Sequence, residues 1–168
     1  MLSAKTITSH YIKWLIPLLA STALLSAYAI EYFFGVYPCI LCQFQRVVIW
    51  GVLVFWIFQY IMSSSKYLRI AWDFVIVATI LIGVVFSARH WMIQMNPQSV
   101  QSFSCPPNLW HLFKVQTFVD AIMTVFLAGS ECAKVDVSFL LLPLSAWVLV
   151  LFLSLLLLHI ISIRSRQV

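Results

Sequence analysis

Four stretches of this 168-residue chain are apolar, uncharged and near the length that an α-helix needs to cross a bilayer, which is roughly 20 residues for about 30 Å of hydrocarbon. Residues 14–30 end at Glu31, and residues 47–62 are stopped by Ser63, Ser64, Ser65 and Lys66. Residues 74–88 close at Arg89 and reach spanning length only if 70–73 are included, at the cost of Asp73 near one end. Residues 137–163 form the longest uncharged run, and Pro143 marks where its helix should begin. Helices are expected because lipid offers the backbone no hydrogen-bond partner. Composition agrees: 63% of residues are hydrophobic and 9% charged, against about 45–50% and about 25% in soluble domains. A soluble fold of this size could not hide so much apolar surface, and disorder needs the opposite balance.

The expected architecture is therefore an all-α membrane protein, a four-transmembrane-helix bundle forming a single membrane domain over residues 1–168. Its spans are placed near 14–32, 43–62, 70–89 and 143–163, with outer loops at 31–42 and 90–136. Within the long loop, residues 109–128 are apolar but interrupted by Lys114 and Asp120, so they read as a short interfacial helix and not as a fifth span. The first span is longer than the 7–15 apolar residues of a cleaved signal and is read as permanent.

The net charge of +5 is not clustered, which speaks for membrane orientation and against nucleic acid. Lys5, Lys13, Lys66, Arg69, Arg164 and Arg166 fall on one side of the membrane. Arg46, Arg89, Lys114 and Lys134 fall on the other, over a longer stretch and among acidic residues. The positive-inside rule then places both termini in the cytoplasm.

That topology gathers all four cysteines on the outer side, where disulfides persist. Cys39 and Cys42 form a C-x-x-C just before the second span; Cys105 and Cys132 lie in the long loop. Two inert disulfides bracing the loops remain an alternative. A C-x-x-C loop is too short to gain much as a staple, however, and suits thiol–disulfide exchange better. Cys42 is expected to head the second helix, with Arg46 one turn on as a cation for its thiolate or as an interface anchor. Haem attachment would need a histidine where Gln43 stands. No metal is expected, because a structural zinc site would want a second close cysteine pair. His90, at the outer end of the third span, reads as an interface residue on position alone.

Three segments resemble the disulfide bond formation protein B (DsbB) family of bacterial inner-membrane thiol oxidoreductases. They are Pro38-Cys39-Ile40-Leu41-Cys42-Gln43-Phe44-Gln45-Arg46, Phe126-Leu127-Ala128-Gly129-Ser130-Glu131-Cys132-Ala133, and His90-Trp91-Met92-Ile93-Gln94-Met95-Asn96-Pro97. The resemblance implies that Cys105 and Cys132 form an outer disulfide that oxidises a periplasmic DsbA-type thioredoxin-fold partner, with Cys105 in the transient mixed disulfide. Cys39 and Cys42 would reoxidise that pair. Cys42 would contact a membrane quinone, ubiquinone or menaquinone, with Arg46 positioning it and His90 nearby. Gln45 stands where the family often has an acidic residue and is given no role. Such a partner has an established potential of about −120 mV, so its reoxidation needs an acceptor at higher potential. A vitamin K epoxide reductase-like enzyme is one alternative, although that family carries its C-x-x-C late in the chain. A non-catalytic membrane scaffold with structural disulfides is another.

Overall fold

The computed structural model describes residues 4–35, 37–96, 109–127, 132–133, 138–139 and 142–167, with side chains from Lys13 onward except those of 138, 139 and 167. Cys105 lies outside the described residues, as does the segment 98–104. Four long helices dominate: α1 (Ala4–Phe34), α2 (Ile40–Met62), α3 (Lys66–Met95) and α6 (Leu144–Gln167). Each contains a stretch long and apolar enough to cross a membrane. Two short helices, α4 (Leu109–Val115) and α5 (Phe118–Leu127), precede a two-residue antiparallel ladder that pairs Ser138 with Pro143 and Phe139 with Leu142.

The long helices follow one another around the bundle. α2 packs on α3, α3 on α6 and α6 on α1, while α1 meets α2 more loosely. Their shared core contains Ile16, Ala20 and Leu24 of α1, Val52 of α2, Ile76 and Ile80 of α3, and Phe152 and Leu155 of α6. Gly83 is required at the α3–α6 crossing, because a Cβ there would lie 2.3 Å from the Phe152 ring. The opposite faces carry exposed Leu25, Ile57, Phe74, Val85 and Leu157, the surface a lipid-facing bundle presents.

Helix ends follow local chemistry more than the limits of the uncharged runs. α1 stops at Gly35, which takes φ +63° while its amide donates to the Glu31 carbonyl at 3.0 Å, a left-handed stop that suits glycine. Ser65 caps α3 by accepting from the Leu68 amide at 3.2 Å. α3 continues to Met95, past the expected limit at 89, because Arg89 and His90 are as compatible with a helix as the apolar residues before them. Helix α6 starts directly after Pro143, as expected.

The single interfacial helix expected over 109–128 is corrected to two helices. Thr117 begins α5: its hydroxyl accepts from the Asp120 amide at 3.4 Å and donates to the Asp120 carboxylate at 2.5 Å. That Thr-x-x-Asp cap starts a new helix and breaks the old one. Leu109, Leu112, Ala121 and Val125 pack on Ile40, Leu41, Phe86 and Ile93. Trp110, Phe118, Val119 and Met123 stay exposed, as on a helix that rests in the interfacial layer.

Candidate redox site

The site is assembled where the short turn between α1 and α2 meets α3. Pro38 disfavours helical geometry in the residue before it, so α2 cannot begin much earlier. Cys39 takes the N-cap position, with φ −63° and ψ 168°, and Ile40 is the first helical residue. The helix therefore opens at Cys39, and the expectation that Cys42 heads it is corrected. Cys42 sits within the first turn. Cys39, Cys42 and Cys132 are free thiols in this structure.

α3 brings His90 to Cys39, with Nε2 at 3.8 Å from Sγ. The histidine is 2% exposed and belongs to the site, not to the interface. Its other nitrogen, Nδ1, lies 3.5 Å from the Gln45 amide nitrogen, which also approaches the Ser87 hydroxyl at 3.4 Å. Ser87 in turn donates to the Gly83 carbonyl at 2.7 Å. Gln45, given no role by sequence reasoning, is thus buried and meets the ring nitrogen of His90 that faces away from sulfur.

Cys132 reaches the same place from the long loop. It is buried in the cluster under α4 and α5, and it shares a hydrogen bond with Cys39. Bonds from Cys132 and then Cys42 hold the Cys39 thiol well below the ordinary thiol range, outweighing its desolvation, with a smaller contribution from His90. Two side chains fasten these outer segments. Gln43 donates to the Pro38 carbonyl at 3.0 Å and accepts from the Leu109 amide at 3.1 Å, tying the cysteine turn to α4. Arg89 reaches the Phe126 carbonyl at 3.4 Å and covers its ring, anchoring the end of α5.

Arg46 is found beside the site but not as an unpaired cation. Its guanidinium pairs with Glu31 of α1, donates to the Ala27 carbonyl at 3.1 Å and lies 4.9 Å from the Tyr28 ring centroid. Glu31 was missed in the sequence, where it served only to end the first span.

Arg46, Cys42, Gln45 and His90 share one cavity with Ala23, Ala27, Ile49, Val148 and Leu151, lined by α1, α2, α3 and α6. It has about 880 Å³ of free space, counting its open mouth. The walls are mostly apolar, with the polar groups gathered at the cysteine end, the make-up of a pocket for an apolar molecule that carries a few polar atoms.

Comparison with known proteins agrees with this geometry. The family profile described as "Disulfide bond formation protein DsbB" matches residues 10–162. Three proteins named "Disulfide bond formation protein B" are similar to the chain. That of Methylococcus capsulatus is 32% identical over 153 residues, covering 89% of this chain and 92% of the relative. That of Saccharophagus degradans is 31% identical over 132 residues, covering 79% of each. That of Xylella fastidiosa (strain Temecula1) is 34% identical over 129 residues, covering 76% of this chain and 73% of the relative. With four membrane-length helices and three of its four cysteines described in or beside one site, the chain belongs to the DsbB family, a multi-pass membrane oxidoreductase of disulfide bond formation.

Proposed function

We propose that this protein reoxidises a periplasmic DsbA-type thioredoxin-fold donor and passes the electrons to a membrane quinone, so acting as a protein-dithiol:quinone oxidoreductase of the bacterial inner membrane. One observation carries the reading: Cys39 touches Cys132 of the outer loop on one side, and with Cys42 lines an apolar cavity on the other. A relay between a soluble thiol protein and a lipid-soluble acceptor needs that double access.

The exchange steps balance without an outside reagent. A partner thiolate attacks Cys105 of a Cys105–Cys132 disulfide and expels Cys132 as thiolate. The partner's second thiolate then releases Cys105 and leaves the partner oxidised. Cys132 attacks Cys39 of a Cys39–Cys42 disulfide, and Cys42 departs as thiolate into the cavity. Cys105 closes again on Cys132 and frees Cys39. The net change is one partner disulfide gained and one Cys39–Cys42 dithiol formed. The low proton affinity of Cys39 makes it a good leaving group in that last step.

A bound quinone, ubiquinone or menaquinone, supplies an acceptor for the two electrons and two protons of the Cys39–Cys42 dithiol. Arg46, held in place by Glu31 at the cavity wall, would place a positive charge near a quinone oxygen that gains charge on reduction. His90 sets its Nε2 beside Cys39 and limits water access through its burial. For orientation, Lys13, Lys66, Arg69, Arg164 and Arg166 lie at the end of the bundle opposite the cysteines, and the positive-inside rule makes that end cytoplasmic.

The test is oxidation of a reduced thioredoxin-fold partner by the purified chain, with and without added ubiquinone or menaquinone, followed by quinone absorbance. One quinone consumed per partner dithiol is expected, and quinone-independent or absent oxidation overturns the reading. A partner lacking its resolving cysteine should be trapped through Cys105. Arg46→Ala should raise the quinone KM about 10- to 100-fold, the equivalent of one hydrogen bond to a charged group, while partner exchange persists.

A further inference from the structure

The Cys39 and Cys42 sulfurs and a ring nitrogen of His90 all lie within 4.8 Å of one another. The sulfur of Cys39 is 3.8 Å from Nε2. A tetrahedral zinc ion, with bonds of about 2.3 Å to sulfur and about 2.0–2.1 Å to nitrogen, places sulfur and nitrogen about 3.6 Å apart. The observed spacing meets that within a few tenths of an ångström. Two sulfurs and an imidazole are also the donors that a thiophilic ion selects. Spacing along the sequence gave no hint of this, because the third donor comes from α3, 51 positions after Cys39.

We propose that the dithiol form of this protein binds one thiophilic ion, such as Zn²⁺, at Cys39, Cys42 and His90, and that the bound ion withholds the dithiol from oxidation. The inference rests on the reading that Cys39 and Cys42 cycle between dithiol and disulfide. Binding forms a metal–sulfur bond to each cysteine, releasing to solvent whatever proton that sulfur carried, and moves no electrons. A Cys39–Cys42 disulfide has no thiolate to offer, so ion and disulfide exclude each other. The adjoining cavity, which all three residues line, provides the entry path and a water for the fourth position. Gln45 completes the arrangement: turned about its amide, it accepts from Nδ1–H and leaves the Nε2 lone pair to the ion. The site is thus a brake on the enzyme, set by the redox state of its own cysteines.

Cobalt reports the site directly. The full-length chain in detergent, reduced, freed of reductant and kept anaerobic, is titrated with Co²⁺, then with Zn²⁺ as competitor. The expected result is a sulfur-to-cobalt charge-transfer band with tetrahedral visible bands, saturating at one ion per chain and erased by Zn²⁺. The disulfide form of the same polypeptide should show none, a control that needs no substitution. His90→Ala and His90→Gln should each weaken binding by about tenfold or more. Zinc-loaded protein should reduce quinone at least about tenfold more slowly than metal-free protein and recover on chelation. A blank titration of the reduced protein, or equal binding by oxidised and reduced forms, overturns the inference. If the metal-free protein still couples partner oxidation to quinone while the titration is blank, only the metal site falls. If cobalt binds but no quinone is consumed without metal, the proposed function falls instead.

Discussion

The two ends of the bundle carry nearly the same polar parts and use them differently. At the cysteine end lie a buried histidine, a buried glutamine and an arginine–carboxylate pair: His90, Gln45, and Arg46 with Glu31. At the far end lie His159, Gln59, and Arg166 with Asp73. There everything converges on one oxygen. Asp73 Oδ1 receives Gln59 at 2.7 Å and Arg166 at 2.9 Å, while His159 Nε2 lies 3.3 Å away without the alignment of a hydrogen bond. At the cysteine end the groups do not converge. The histidine faces sulfur, the glutamine meets the histidine and Ser87, and the arginine pairs with Glu31 and the Ala27 carbonyl. A closed network neutralises a charge; an open one leaves its thiols beside a cavity, as the proposed relay requires. Residue types alone do not separate a structural cluster from a reactive one.

Substitutions should divide the two ends in opposite ways. The largest effect is expected for Cys42→Ala, which should bring quinone-coupled turnover to background while leaving the thermal midpoint almost unmoved. A large loss of stability instead would mean that the cysteine end is structural too. Asp73→Ala comes next. Removing one partner of a buried ion pair costs about 3–5 kcal/mol. Arg166 keeps partial access to the surroundings at 17% side-chain exposure, so on the order of 2 kcal/mol is expected from denaturant unfolding in detergent. Turnover per folded molecule should stay within about twofold, because nothing at that end touches sulfur. The smallest effect concerns proton affinity. In the reduced protein, alkylation of Cys39 by a small reagent should stay fast as the pH falls below the ordinary thiol range, since the thiolate is the favoured form. His90→Ala should move the falling edge to higher pH, and His159→Ala should leave it in place.

Much of this contrast is invisible along the chain. The spans were legible because lipid imposes one requirement on every residue of a run. The C-x-x-C was legible because its two members are neighbours. Charges misled at the helix ends: Arg89 and His90 read as the close of α3, yet a helix leaves the hydrocarbon without unwinding. The Thr117-x-x-Asp120 cap stands in the sequence, but inside an apolar stretch its signal is weaker than the run of hydrophobic residues around it. Glu31 and Gln45 could not be assigned at all. Their partners, Arg46 and His90, lie 15 and 45 positions away, and only the packing of α1, α2 and α3 decides which side chain meets which.

Asp73 and Arg166 are separated by 93 positions. During synthesis α3 is delivered to the bilayer with its carboxylate long before Arg166 has been translated, and in that interval Gln59 of the preceding helix and the more distant Lys13 of α1 are the groups at hand. A lone carboxylate in a nascent span is poorly retained by lipid. Stable integration of the third segment is therefore completed by the arrival of the last.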